Sequence, residues 1–208
     1  MSVRVKVCGM RNAEDVAACV AAGVDALGFI FAKSPRRLSV EQARVLTAAA
    51  PPLVTTVGVF ANDSADLVRD AFEHCRLDVL QFSGDEAMEF CGSFGKPTIV
   101  AARGRHLTPA DLEIARAVGV LVDSWSATEF GGTGRVVDAA AVSQMRAECG
   151  SAPVILAGGL TPDNVAALIR ASKPDAVDVR TGVERDGRKD AALVRAFVAA
   201  ARTALTTE

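Results

Sequence analysis

Cys8 and Asp123 are the two side chains whose type and context best suit proton transfer. Cys8 closes the apolar run Val3–Gly9, directly before Gly9, whereas Cys19, Cys75, Cys91 and Cys149 fall in stretches that read as helices and small core hydrophobes. A thiol reacts as its thiolate and needs a nearby cation or amide dipole to reach that form near neutral pH. Taken alone, Cys8 reads as structural. Asp123 ends the run GVLVD, so its carboxylate is either a loop cap or an acid facing a substrate. Arg36 and Arg37, in AKSPRRLS, offer a planar guanidinium that matches a carboxylate bidentately; one of the two reads as simply solvated. Three glycine clusters complete the set: Gly131-Gly132-Thr133-Gly134, Gly158-Gly159 and Arg180-Thr181-Gly182. Any one of them reads as a tight turn. Three on one rim read as a phosphate cradle, because glycine lets backbone N–H groups approach an anion closely.

These residues need a scaffold that brings distant chain segments to one rim, and the pattern supplies it. Short β-branched runs at 3–9, 26–31, 54–62, 79–84, 97–103, 119–125, 153–159 and 176–184 alternate with helical stretches at 13–23, 39–50, 64–75, 86–94, 108–118, 138–149, 161–172 and 189–203. Alternation of this kind implies a parallel sheet covered by helices. Runs such as LGFIF and VILAGG are apolar throughout, as parallel strands buried on both faces are. Eight units predict the α/β class and a single (β/α)8 TIM barrel as one catalytic domain over residues 1–208. An open doubly wound sheet is the rival, weakened by the lack of a glycine-rich dinucleotide fingerprint after strand one. Ser39 with Gln42 reads as a capping box, and Thr108-Pro109 and Thr161-Pro162 as helix starts.

In such a barrel the active site forms at the C-terminal ends of the strands. That rule gathers Cys8, Arg36, Asp123, the glycine clusters, and Gln81 and Ser83 at the end of strand four, which are candidate substrate contacts. The candidate phosphate ligands are Gly132, Gly158, Gly159, Arg180, Thr181 and Gly182. Asp25, Asp78 and Asp175 precede strands and belong to the opposite, stabilising face. Lys6 shares the face of Cys8 at period two and pairs with Asp178 inside the barrel if strand one meets strand eight. Arg11 and Arg180, following those same two strands, are expected to lie near one another.

Composition excludes several classes. The 208 residues carry 23 Lys+Arg against 25 Asp+Glu, without the basic excess of a nucleic-acid binder. Half the residues are hydrophobic, which is enough for a sizeable core and too much for a disordered chain. Five widely spaced cysteines without a C-x-x-C pair and only two histidines argue against a disulfide framework or a zinc site. No signal-peptide core or membrane span is read, so a cytoplasmic protein is expected, with no nucleic-acid or membrane partner.

The segments KVCGMRNAEDVAACVAAGVDALGFIFAKSPRRLS, VGVFAN, LDVLQFSGDE, LVDSWSATEFGGTGR, ILAGGLTPDNV and VDVRTGVERDGRKD, in this order and spacing, resemble the phosphoribosylanthranilate isomerase family of tryptophan biosynthesis. The likeness covers nearly the whole chain. It implies an Amadori rearrangement of a small phosphorylated substrate with no metal or organic cofactor, by a monomer or homodimer. By this resemblance Asp123 is the general acid, Cys8 the general base, Arg36 holds the anthranilate carboxylate, and the glycine loops cradle the phosphate. The chain departs from the family pattern at Arg11, where Thr is usual; at Ser83, where His is usual in Q-L-H-G; at Val100, where Lys is common; and at Arg180-Thr181, where the motif is usually D-V-S-S-G. These departures are expected to cluster at the mouth. They keep two alternatives open: a paralogous isomerase for another phosphorylated aminosugar, and a silent phosphate-ligand binder.

Overall fold

A computed structural model describes residues 3–123 and 139–205. Eight parallel strands form a closed barrel in sequence order: β1 (Arg4–Cys8), β2 (Ala26–Ile30), β3 (Thr55–Phe60), β4 (Val79–Phe82), β5 (Thr98–Ala101), β6 (Ala117–Asp123), β7 (Val154–Ala157) and β8 (Ala176–Val179). The helices are α1 (Ala13–Ala21), α2 (Val40–Ala48), α3 (Ala65–His74), α4 (Met88–Gly92), α5 (Pro109–Ile114), α6 (Ala139–Cys149), α7 (Val165–Ser172) and α8 (Ala191–Thr203). β1 pairs with β8 from Arg4↔Ala176 to Val7↔Val179, which closes the sheet and removes the open rival. No helix among the described residues is long and apolar enough to cross a membrane.

The period-two geometry of a strand divides the apolar residues between two cores. On β2, Ile30 points into the barrel with Val57, Val59, Ile99, Leu121 and Ile155. Leu27 and Phe29 point outwards and pack under the helices. The outer core holds the large rings: Phe31 stacks on Phe60 at 5.1 Å, and Phe82 lies 5.9 Å from Phe94. The barrel interior is therefore filled by aliphatic side chains, so the polar residues that do point inwards stand out.

The strand N-terminal face repeats one device. Asp25, before β2, accepts a hydrogen bond from the Val5 amide of β1 at 2.6 Å. Asp78, before β4, takes the Thr56 amide of β3 at 2.8 Å, and Asp175, before β8, takes the Val154 amide of β7 at 2.8 Å. Each carboxylate thus satisfies an amide at the start of the preceding strand, as expected of a stabilising face. Thr56 is buried and also donates its hydroxyl to Asp78 at 2.9 Å. Asp78→Ala is expected to cost about 1–2 kcal/mol, the range for stranded buried donors, with turnover unchanged. Urea unfolding measures this, and an unaltered midpoint contradicts it.

Helix starts follow the sequence in most places. Ser39 and Gln42 form the capping box of α2, and Thr108 and Asp111 that of α5, with Pro109 in its first turn. Three boundaries differ by more than two residues. α7 begins at Val165 rather than at Thr161-Pro162, because the Asn164 side chain accepts from the Thr161 amide and holds 161–164 as a turn. The helix read to 118 ends at Ile114, since 117 and 118 already belong to β6. The run 176–184 is not one strand: β8 stops at Val179, a 3-10 turn covers Thr181–Val183, and a hairpin follows. That hairpin pairs β9 (Glu184–Arg185) with β10 (Arg188–Lys189) in antiparallel register.

Candidate active site

The C-terminal ends of the strands carry the expected polar residues. Cys8 ends β1 and is level with Gly28 of β2; Asp123 ends β6 and is level with Ala157 of β7. Going round the closed sheet, β8 and β7 separate the two strands, so their ends confront each other across the mouth. Leu121 lines the interior, and Asp123, two residues on, shares its side of β6. Asp123 is exposed while Cys8 is only 6% exposed. Gly132 lies outside the described residues.

Cys8 sits in a charged nest within an otherwise aliphatic barrel. Lys6, two residues earlier on the same face, donates to Asp178 of β8 at 3.0 Å, and both side chains are nearly buried. The expected interior ion pair is therefore present. Burial pushes the Cys8 thiol above its ordinary value; Lys6 opposes that shift, Asp178 adds to it, and Lys189 and Arg180 oppose it further. Burial likewise disfavours the Lys6 ammonium, but Asp178 and Cys8 outweigh it and raise Lys6. Space for the sulfur comes from Gly28, where a Cβ would stand 2.8 Å from Cys8 Sγ. Sequence reasoning passed over this glycine, which looks like one more apolar strand position.

Arg36 reaches the rim in an arrangement that composition and spacing did not reveal. Its Nε donates to Glu184 at 2.9 Å and its Nη2 donates to the other carboxylate oxygen. Lys189 donates to the same carboxylate at 2.8 Å and to the Arg180 carbonyl at 3.0 Å. Burial would raise the Glu184 carboxyl, but hydrogen bonds from Arg36 and Lys189 hold it below its ordinary value. Arg36 rises in turn, chiefly through its hydrogen bond to Glu184. Arg37 is exposed, which makes it the solvated member of the pair. The signal that points to Glu184 and Lys189 is Asp186-Gly187, whose φ values of 51° and 74° make the two-residue hairpin that Asp-Gly favours. The hairpin folds Lys189 back beside Glu184.

The departures distribute unevenly. Arg11 donates from Nη1 to the Gly187 carbonyl at 3.1 Å, so it pins the hairpin tip, and its backbone amide donates to Asp15 at 3.0 Å. Val100 is not at the mouth: it alternates with the interior residues Ile99 and Ala101, faces the helices and is fully buried in the outer core. Ser83 does belong to the rim. Its hydroxyl accepts from the Gln81 amide at 3.0 Å, and its carbonyl accepts from Arg103 at 3.1 Å. Gln81 Oε1 is buried with no hydrogen-bond partner among the described residues, which marks it as an acceptor facing the barrel.

The glycine loops after β7 and β8 adjoin. Gly158 and Gly159 adopt φ values of 85° and 61°, a region that suits glycine, and the Gly159 carbonyl is anchored by Asn164 at 2.9 Å. Their amides donate to no acceptor among the described residues. Gly182 passes so close to the Leu160 carbonyl that a Cβ there would overlap it, which brings the Thr181-Gly182 loop against the loop after β7. Backbone amides of two adjoining loops, a thiol and a carboxylate across the mouth, and a clamped guanidinium thus gather at the C-terminal ends of the strands, the face where barrels of this kind carry their active sites.

Fold and rim together define a (β/α)8 barrel of the enzyme kind, with its polar residues gathered at the C-terminal ends of the strands. Residues 5–200 match the family model for N-(5'phosphoribosyl)anthranilate (PRA) isomerase. An N-(5'-phosphoribosyl)anthranilate isomerase of Moorella thermoacetica is 47% identical over 204 residues, covering 97% of this chain and 91% of its own length. The crystal structure of the phosphoribosyl anthranilate isomerase of Thermus thermophilus superposes with a TM-score of 0.81 at 34% identity, over 95% of this chain and 98% of that one. A further phosphoribosyl anthranilate isomerase, solved with reduced 1-(o-carboxyphenylamino)-1-deoxyribulose 5-phosphate, gives a TM-score of 0.76 at 33% identity, over 96% of this chain and 98% of its own. The chain belongs to the N-(5'-phosphoribosyl)anthranilate isomerase family.

Proposed function

We propose that this chain rearranges N-(5-phosphoribosyl)anthranilate to 1-(o-carboxyphenylamino)-1-deoxyribulose 5-phosphate, a step of tryptophan biosynthesis, with Asp123 as acid and Cys8 as base. The observation that carries this reading is the pair itself: in a chain of this family, the two stand at the ends of β1 and β6, on confronting sides of one mouth. Asp123 protonates the ribose ring oxygen as the C1′–O bond breaks and the nitrogen lone pair forms the C1′=N bond. The Cys8 thiolate then removes the C2′ proton, and the bonding electrons flow towards nitrogen to give the enolamine. Protonation at C1′ and loss of the O2′ proton leave the ketone. C1′ is reduced as C2′ is oxidised, so the atoms and electrons balance within the substrate.

The remaining site residues bind. The amides of Gly158, Gly159, Thr181 and Gly182 meet the 5-phosphate, with Gly132 as a further candidate from the loop after β6. Gln81 Oε1 accepts from a substrate hydroxyl or N–H, and Ser83 holds the Gln81 amide in place. Arg36 faces the anthranilate carboxylate. Anchoring both anionic ends restrains the flexible open-chain intermediate between acid and base. The enzyme works in the cytoplasm as a monomer or homodimer.

A bacterial strain lacking its phosphoribosylanthranilate isomerase tests this in vivo. Expression of the chain is expected to restore growth without tryptophan. Failure to restore growth with soluble protein present would favour a paralogous aminosugar substrate.

A further inference from the structure

Arg180 directly follows β8 (Ala176–Val179). The β1–β8 register ends at Val7↔Val179, so the next residues, Cys8 and Arg180, stand level at the mouth. The stem of Arg180 runs towards β1 rather than β7: a Cβ on Gly9 would lie 3.7 Å from Arg180 Cγ and 2.9 Å from Arg36 Cδ. Two arginine stems thus pass the same glycine. Gly9, at φ 88°, lies in the region that suits glycine, and its missing side chain leaves them that room.

The two guanidinium groups are differently committed. Arg36 spends Nε and Nη2 on Glu184, which leaves Nη1 as its uncommitted end. Arg180 is exposed at the rim, and its guanidinium has no hydrogen-bond or ion-pair partner among the described residues; only its backbone carbonyl is engaged, by Lys189. Arg36 and Lys189 share one carboxylate, Glu184, while the Arg180 guanidinium reaches no carboxylate among the described residues. Like charges gathered at this density repel unless an anion joins them. The proposed phosphate cradle is made of the backbone amides of Gly158, Gly159, Thr181 and Gly182, whereas the Arg180 stem lies against Gly9 after β1.

We propose that Arg180 is a specificity-determining residue of this chain: its guanidinium takes the carboxylate of the substrate's aromatic amine, which Arg36, clamped by Glu184, meets with one edge only. The planar fork of Arg180 matches a carboxylate bidentately. Its position beside Arg36 places the two on the same anion, so the excess positive charge of the rim is met when substrate binds. This rests on the proposed reaction, since that reaction supplies the carboxylate.

The test compares wild type, Arg180→Ser and Arg180→Lys on two substrates: N-(5-phosphoribosyl)anthranilate and N-(5-phosphoribosyl)aniline, which lacks only the carboxyl group. For Arg180→Ser, KM on the anthranilate substrate is expected to rise about 10-fold or more, the worth of a hydrogen bond to a charged group, with kcat changed far less. KM on the aniline substrate should stay within about twofold of wild type, as should competitive inhibition by inorganic phosphate. Arg180→Lys should recover part of the lost affinity. Equal losses on both substrates, weakened phosphate inhibition, or no change on either would overturn the assignment. Wild-type protein that turns over neither substrate would instead overturn the parent reaction, and Arg180's role with it.

Discussion

Asp123→Asn and Cys8→Ser are each expected to lower kcat by about 10²-fold or more, the usual worth of a positioned acid or base, with the fold kept. Asp123 ends a strand at an exposed rim position, and the Asn variant retains shape while losing the proton. Ser in place of Cys8 keeps a small polar group beside Gly28, but a hydroxyl ionises far less readily than a thiol, even one raised by burial. The pH profile separates the two roles. Burial outweighs Lys6 and raises the Cys8 thiol, so the base form accumulates only as pH rises through that elevated value. The rise of kcat/KM with pH should therefore extend above the ordinary thiol value of about 8.5, and Cys8→Ser should abolish that limb. Wild-type turnover by Cys8→Ser would remove Cys8 from the mechanism.

Lys6→Met should have the largest effect on stability. Asp178 is 8% exposed, its Oδ2 is held by Lys6, and its Oδ1 already lacks a partner among the described residues. Removing the ammonium strands a buried carboxylate, which typically costs about 3–5 kcal/mol. Thermal or urea unfolding should show the loss. The double variant Lys6→Met/Asp178→Leu, which removes both charges, should recover most of it, because an apolar replacement of a buried pair is often near neutral. A single variant as stable as wild type would contradict the assigned pairing. The double variant is expected to remain poorly active, since Cys8 would have lost the cation that most favours its thiolate.

Much of this was legible in the chain because it depends on local rules. Lys6 and Asp178 follow from period-two alternation plus closure of β1 on β8. Asp25, Asp78 and Asp175 follow from their position ahead of strands, and Cys8 and Asp123 from their position at strand ends. Features that need three-dimensional reversal were not legible. Glu184 read as the end of a long strand, whereas the chain turns at Thr181–Val183 and again at Asp186-Gly187, so that Glu184 and Lys189 meet Arg36. The contact of Arg11 with the Gly187 carbonyl likewise depends on that hairpin and left no mark in the sequence. Val100 was grouped with the mouth although strand parity turns it to the outer core. Gly28 gave no signal, because its importance lies in the sulfur packed against it.

The central claim is that this chain isomerises N-(5-phosphoribosyl)anthranilate by acid–base chemistry at one barrel mouth. The most direct measurement is the decay of that substrate's fluorescence on addition of purified chain, with the product identified by mass and by its ketone. The account predicts decay far above the buffer rate, formation of 1-(o-carboxyphenylamino)-1-deoxyribulose 5-phosphate, and loss of the acceleration in Asp123→Asn. Decay at the buffer rate with folded wild-type protein, or acceleration undiminished in Asp123→Asn, would contradict it.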